Sequence, residues 1–90
     1  MKDIVWTEYM KYRSSKRGID LDVIEQIVRY SSERYVDNET HRRLAVGKHK
    51  SAIVLVPYEE SDTSLTPITV HPTTRKQINL RLKTERYSHG

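Results

Sequence analysis

The spacing of apolar residues changes once along this chain, and that change limits the folds the chain can adopt. Up to Ser32 the apolar residues recur three and four positions apart, as in "DLDVIEQIVRYSS", which is typical of an amphipathic helix. From Arg34 onwards they alternate or run together, as in "AIVLVPY", which is typical of strands. Helices followed by a run of strands predict an α+β fold.

Local signals predict two helices in the first third of the chain. Thr7 can cap the start of the first helix, and Gly18 suits the left-handed position just beyond its end. Asp20 can cap a second helix, whose apolar stripe includes Ile24 and Val28. We therefore expect two N-terminal helices packed on one face of the sheet.

The middle of the chain predicts a small antiparallel sheet of three to four strands. "HRRLAVGKH" alternates like a half-buried strand, "GKHKS" suits a hairpin turn, and "AIVLVPY" is apolar on both faces, which is typical of a central strand. Pro57 is expected at the end of that strand, because proline cannot donate a hydrogen bond to a neighbour. "PITVH" predicts a further strand. "RYV" or "PITVH" is expected at the edge, where another chain could pair.

The segment "ITVHPTTRKQINLRLKTERY" fits two structures. The alternation of Ile78, Leu80 and Leu82 is a strand pattern, and a strand would place its cations on one solvated face. However, Thr74 begins a capping box, and Ile78 and Leu82 also lie one helical turn apart. We predict a short C-terminal helix over Thr74–Lys83.

Length and composition exclude several classes of protein. The 90 residues suffice for one domain, which we place at 1–90. There is no Cys for disulfides or thiolate chemistry, and the four His lack metal-binding spacing, so we expect no metal and no cofactor. No segment is typical of a signal peptide or a membrane span, so we expect a cytoplasmic protein without membrane contact. The net charge of +4 favours an acidic partner or nucleic acid.

Two basic stretches, "HRRLAVGKHK" and the C-terminal tail, could line a groove that attracts phosphates. The alternative is that their cations are simply the solvated face of a strand. RNA cleavage needs a base for the 2′-hydroxyl, a cation for the developing charge and an acid for the leaving oxygen. We assign this chemistry to His71, Arg75 and Arg81. The predicted RNA-binding residues are Arg43, Lys48, Lys76 and Tyr87.

The order "SKRGIDLDVIEQIV", "HRRLAVGKHKSAIVLVPY", "ITVHPTTRKQ" resembles the BrnT-like branch of the RelE/ParE toxin superfamily, over roughly residues 4–83. This chain has Arg17 where the family typically has a histidine before "GI", and only Arg75 and Lys76 where arginines are usually abundant. The resemblance implies a RelE-like fold, metal-independent endoribonuclease activity that slows translation, and a cognate antitoxin encoded nearby. The alternative is a non-catalytic RelE-fold module that binds a protein or nucleic acid.

Overall fold

The computed structural model describes residues 1–90 as three helices and seven strands. The helices are α1 (Glu8–Arg17), α2 (Leu21–Tyr30) and α3 (Arg75–Lys83). The strands are β1 (Asp3–Ile4), β2 (Glu33–Asp37), β3 (Arg43–His49), β4 (Ala52–Glu60), β5 (Ser64–Pro67), β6 (His71–Thr73) and β7 (Tyr87–His89). The predicted α+β class and the three helices are confirmed.

The sheet is larger than predicted and is not wholly antiparallel. Its order is β1-β5-β4-β3-β2-β7, with β6 also paired to β4. The prediction of three to four strands was wrong because β1, β6 and β7 have only two or three residues each, too few for a periodic pattern. The sheet is mixed because β1 runs parallel to β5.

Two predictions about individual strands were also wrong. "RYV" lies in β2, which pairs with β3 on one side and β7 on the other, so it is not an edge. "PITVH" is not one strand, because β5 ends at Pro67 and β6 begins at His71. The two short strands pair with different halves of β4, and β6 forms an edge there.

Pro57 lies inside β4 and not at its end, contrary to the prediction. Its carbonyl accepts a hydrogen bond from the Ile68 amide at 2.8 Å, so its nitrogen also faces away from β3. On that side β4 changes partner, from β6 at residues 53–55 to β5 at residues 58–60. The missing amide hydrogen therefore falls where neither strand requires a donor.

The helix ends follow the local sequence closely. Thr7 Oγ1 accepts from the Met10 amide at 3.0 Å, and Gly18 ends α1 with φ 66°. The tail is a helix, and Thr74 Oγ1 caps it by accepting from the Gln77 amide at 3.0 Å. All three helices, of nine or ten residues, fall short of the length and apolarity that a membrane crossing needs.

The helices cover both faces of the sheet. On one face α1 and α2 bury Met10 and Ile24 against β3 and β4, in a core of eleven buried residues. On the other face α3 buries Ile78 among five buried residues that include Tyr35. β6 leads directly into α3, and Arg13 of α1 donates to Thr69, two residues before β6, so residues of both helix layers lie close to this edge.

Candidate functional site

His71 has the most distinctive electrostatic surroundings of the predicted site residues. It begins β6 and its side chain is half-buried. Burial lowers the pKa of His71 below its usual 6.5, and the positive charges of Arg17 and Arg13 lower it further. A histidine in this setting is largely neutral at pH 7 and can accept a proton.

The two arginines whose charges lower the pKa of His71 both come from α1. Arg13 Nε donates to Thr69 Oγ1 at 3.3 Å, and Thr69 lies two residues before His71. Arg17 follows Arg13 by about one helical turn, so the two lie on the same side of α1. Neither forms an ion pair with a carboxylate. We use the name α1–β6 edge for β6, which begins at His71, together with Arg13 and Arg17 of α1.

Arg75 connects the start of α3 to β2. Its guanidinium donates to both carboxylate oxygens of Glu33, the longer contact being 3.0 Å, and Tyr35 Oη donates to the same carboxylate at 2.6 Å. The hydrogen bond from Arg75 is the main reason that the pKa of Glu33 lies below its usual range. To contact a phosphate, the Arg75 guanidinium must therefore divide its hydrogen bonds between the phosphate and Glu33, or release Glu33 altogether.

Lys48 and Arg75 line one cavity of about 210 Å³. Lys48 pairs across the sheet with Ile53, and Ile53 pairs with Thr73, which places Lys48 two strands from the end of β6. Lys48 forms no ion pair. The two basic stretches of the sequence therefore meet at this cavity, which also contains the Glu33 carboxylate.

The β7 tyrosine and the other cations of α3 have surroundings of their own. Tyr87 stacks on Tyr35 with ring centroids 6.2 Å apart, and burial raises the pKa of Tyr87. The positive charge of Arg81 lowers the pKa of Tyr87. Lys76 is exposed and forms no ion pair. One face of the Tyr87 ring is thus already covered by the protein itself.

Arg43 lies at the far end of β3, about 17 Å from Lys48 along the strand. It lines a separate cavity of about 340 Å³ with Val28, Arg29, Arg34, Tyr58, Glu60 and Leu65. Arg34 is already hydrogen-bonded there, because its Nη1 donates to Tyr58 Oη at 2.8 Å. Arg43 Nε is 3.9 Å from a Glu60 carboxylate oxygen. This second basic cavity is therefore partly neutralised.

The predicted site residues do not form one cluster. Lys48 and Arg75 share a cavity, but no hydrogen bond or ion pair joins His71 to Arg75 or Arg81. The charges that act on His71 are those of Arg17 and Arg13, which sequence reasoning did not assign to the site. Their four-residue spacing was the only local signal, since the contact with the β6 segment is long-range.

No three His, Asp or Glu side chains group closely enough to hold a metal ion. The groups that the arrangement offers are a half-buried imidazole, two guanidinium groups without acidic partners, and further cations on α3 and the β3–β4 hairpin. Such a surface suits an anion with several negative charges. Comparison of the chain with protein families, with curated proteins and with solved structures gives no significant match.

Proposed function

We propose that this chain binds RNA at the α1–β6 edge and cleaves it there, as the endoribonuclease toxin of a toxin–antitoxin pair. The observation that carries the proposal is a half-buried histidine whose pKa is lowered by burial and by the charges of two arginines that have no carboxylate partner. The order of sequence motifs, which resembles the BrnT-like branch of the RelE/ParE superfamily, supports the toxin role.

The proposed reaction uses only groups of this surface and the RNA itself. Neutral His71 takes the proton of a ribose 2′-hydroxyl, and the freed oxygen attacks the adjacent phosphorus. The bond from phosphorus to the 5′-oxygen breaks, and that oxygen takes a proton from solvent. The guanidinium groups of Arg13 and Arg17 stabilise the negative charge that develops on the phosphate oxygens. The products are a 2′,3′-cyclic phosphate and a 5′-hydroxyl.

The remaining predicted residues have a binding role in this proposal. Because α3 begins directly after β6, Lys76 and Arg81 extend the positive surface beyond His71. Lys48 does the same from the β3–β4 hairpin. Arg75 contributes mainly by fixing α3 to β2 through Glu33.

The decisive experiment separates binding from cleavage. The purified chain is incubated with a labelled single-stranded RNA and with the same sequence carrying 2′-deoxyribose, which lacks the nucleophile. We expect cleavage of the RNA alone, and a loss on the order of 10²–10⁴-fold in the rate for His71→Gln with RNA affinity retained. His41→Asn is the matched control, because His41 is exposed, lies at the other end of the sheet, and has φ 63°, which asparagine tolerates.

A second candidate function is a non-catalytic RNA-binding module of the same architecture. It is favoured by the pairing of Arg75 with Glu33, which removes one of the predicted catalytic groups from the free surface. If the wild-type protein binds RNA but yields no cleavage products, this alternative is selected. If it neither binds nor cleaves RNA, both candidate functions are excluded.

The toxin role has its own test in cells. Induction of the chain alone should arrest growth, and His71→Gln should not. Co-expression with the protein encoded next door should relieve the arrest, and the two proteins should co-elute in gel filtration. Growth that continues on induction of the wild-type chain, at confirmed expression, contradicts the toxin assignment without bearing on RNA binding.

A further inference from the structure

Two tyrosines of α1 are exposed beside the α1–β6 edge. Tyr9 and Tyr12 are each 56% exposed, although an aromatic ring is normally stabilised by burial. Their ring centroids lie 6.4 Å apart with an interplanar angle of 37°. Lys16 Nζ lies 5.9 Å from the Tyr12 centroid, so a cation adjoins the aromatic pair.

The helix geometry aligns these rings with the cations near His71. Tyr9, Arg13 and Arg17 follow one another at intervals of four residues, and so do Tyr12 and Lys16. Residues four apart lie on the same side of a helix. Two neighbouring rows therefore each begin with a tyrosine and continue into cations, over about 12 Å from Tyr9 to Arg17.

The charge of α1 indicates what kind of ligand fits this surface. Its sequence, EYMKYRSSKR, carries four cations and one acid, and that acid, Glu8, is already 3.5 Å from Lys11. A surface of exposed aromatic rings and unpaired cations has the two properties that single-stranded nucleic acid requires: stacking surfaces for bases and positive charge for phosphates.

We propose that Tyr9 and Tyr12 form a base-stacking platform that holds the bases of single-stranded RNA next to the α1–β6 edge. The proposal rests on the proposed function for the identity of the ligand as RNA, but it does not require that the RNA be cleaved. Lys16, Arg13 and Arg17 contact the phosphates between the stacked bases and His71. The platform thus fixes which part of the strand reaches the imidazole.

The test measures affinity with strands that differ only in their bases. Short 2′-O-methyl oligoadenylate, which lacks the nucleophile and remains intact, is compared with an abasic strand of equal charge. Wild-type protein should prefer oligoadenylate, and Tyr9→Leu with Tyr12→Leu should weaken its binding by about 5- to 150-fold, the range for one stacked base. The same double substitution should leave affinity for the abasic strand unchanged.

Three controls make the outcome specific to stacking. Phenylalanine at both positions keeps the rings and should bind within about twofold of wild type. Tyr30→Leu removes a tyrosine that is 62% exposed on α2 and has no aromatic or cationic neighbour, and should have no effect. Lys16→Gln should lower the slope of log affinity against log salt by about 0.7, whereas the leucine variants should not change that slope.

The outcomes that overturn the proposal differ from those that overturn the proposed function. If wild-type protein binds RNA but the leucine variants bind it equally well, the platform is rejected and RNA binding stands. If the leucine variants lose only self-association in sedimentation, with RNA affinity intact, α1 is an interface between copies and the platform is again rejected. If wild-type protein binds neither strand, the proposed function fails and takes the platform with it.

Discussion

Two groups of arginines in this chain have very different surroundings. Arg75 and Arg86 each donate two hydrogen bonds to a carboxylate of β2. Arg13 and Arg17 form no ion pair, and Arg13 donates to Thr69 just before the edge strand β6. In the sequence Arg75 and Arg86 belong to the basic C-terminal tail, and Arg13 and Arg17 belong to the first helix. The pairing of strands distinguishes them, because it brings acidic residues of β2 next to the first group alone.

This difference shows which positive charges of the protein are available to an anionic ligand. The formal charge of +4 is a sum over all residues and includes cations that a nearby carboxylate already neutralises. The potential that an RNA phosphate would experience is set by the unpaired cations, which are concentrated on α1, α3 and the β3–β4 hairpin. Breaking the pairs on β2 should therefore change stability, and removing the α1 cations should change binding.

The largest expected effect is the loss of the Arg86–Asp37 pair. Asp37 is only 6% exposed, and Arg86 donates to its two oxygens at 2.7 and 3.0 Å. These bonds are the main reason that the pKa of Asp37 is about 2, against a usual 3.8, and hydrogen bonds from the Glu39 and Thr40 amides contribute to the shift. That difference corresponds to about 2 kcal/mol. We expect Arg86→Gln to reduce the free energy of unfolding by about that amount at pH 7, measured by urea denaturation.

The pH dependence provides the check on this pair. Because the folded-state pKa of Asp37 is depressed, its contribution is present above pH 3.8 and is lost as the pH falls through about 2. Arg86→Gln should lose most of that acid dependence. Arg17→Gln is the matched control and should change stability by less than about 0.5 kcal/mol. An Arg86 variant with wild-type stability at neutral pH would show that the pair contributes nothing.

The next effect concerns Arg75, whose side chain is half exposed. Its pair with Glu33 is screened by solvent, so Arg75→Gln should reduce the free energy of unfolding by less than about 1 kcal/mol. The salt slope of RNA binding should hardly change in this variant, since the guanidinium is already paired. Arg17→Gln should lower the slope by about 0.7. If the salt slope of RNA binding were equal for the two variants, paired and unpaired arginines would not differ in their contribution to binding.

The helices could be predicted from the sequence because their signals are local. The Thr7 and Thr74 hydroxyls lie three residues from the amides they cap, and Gly18 supplies the left-handed end of α1. The short strands could not be predicted, since β1 and β7 have too few residues to alternate. Pro57 was misplaced because the sequence does not reveal that β4 changes its partner beside that residue.

The site was predictable only in its residue types. The sequence indicated His71 as a titratable group and α3 as a basic helix, and it predicted that Arg75 and Arg81, which follow His71 in the chain, belong to the same site. The neighbours that lower its pKa come from α1, more than fifty residues earlier. Likewise, Arg75 in the first turn of α3 opposes the helix dipole, and its compensation by Glu33 depends on strand pairing.

The smallest effect tests the α1–β6 edge directly. The pKa of His71 should lie below 6.5 because of burial first and the charges of Arg17 and Arg13 second. Arg17→Gln should therefore raise this pKa, while Arg75→Gln should leave it unchanged; both can be followed by the pH dependence of the imidazole proton resonances. The change in the pKa of His71 should correspond to a smaller free energy than the stability change of the Arg86 or the Arg75 variant, because exposed charges are screened by salt.

The same titration also predicts the sign of a stability change. Because the unfolded chain protonates His71 at a higher pH than the folded chain does, stability should rise with pH between the folded-state pKa and 6.5. Arg17→Gln should narrow that interval, since it moves the folded-state pKa upwards. If the pKa of His71 instead lies well above 7 in the wild-type protein, the imidazole is mostly charged at neutral pH, where a base is required. The α1–β6 edge would then only bind phosphates, and the unpaired arginines of α1 would contribute to RNA binding and not to cleavage.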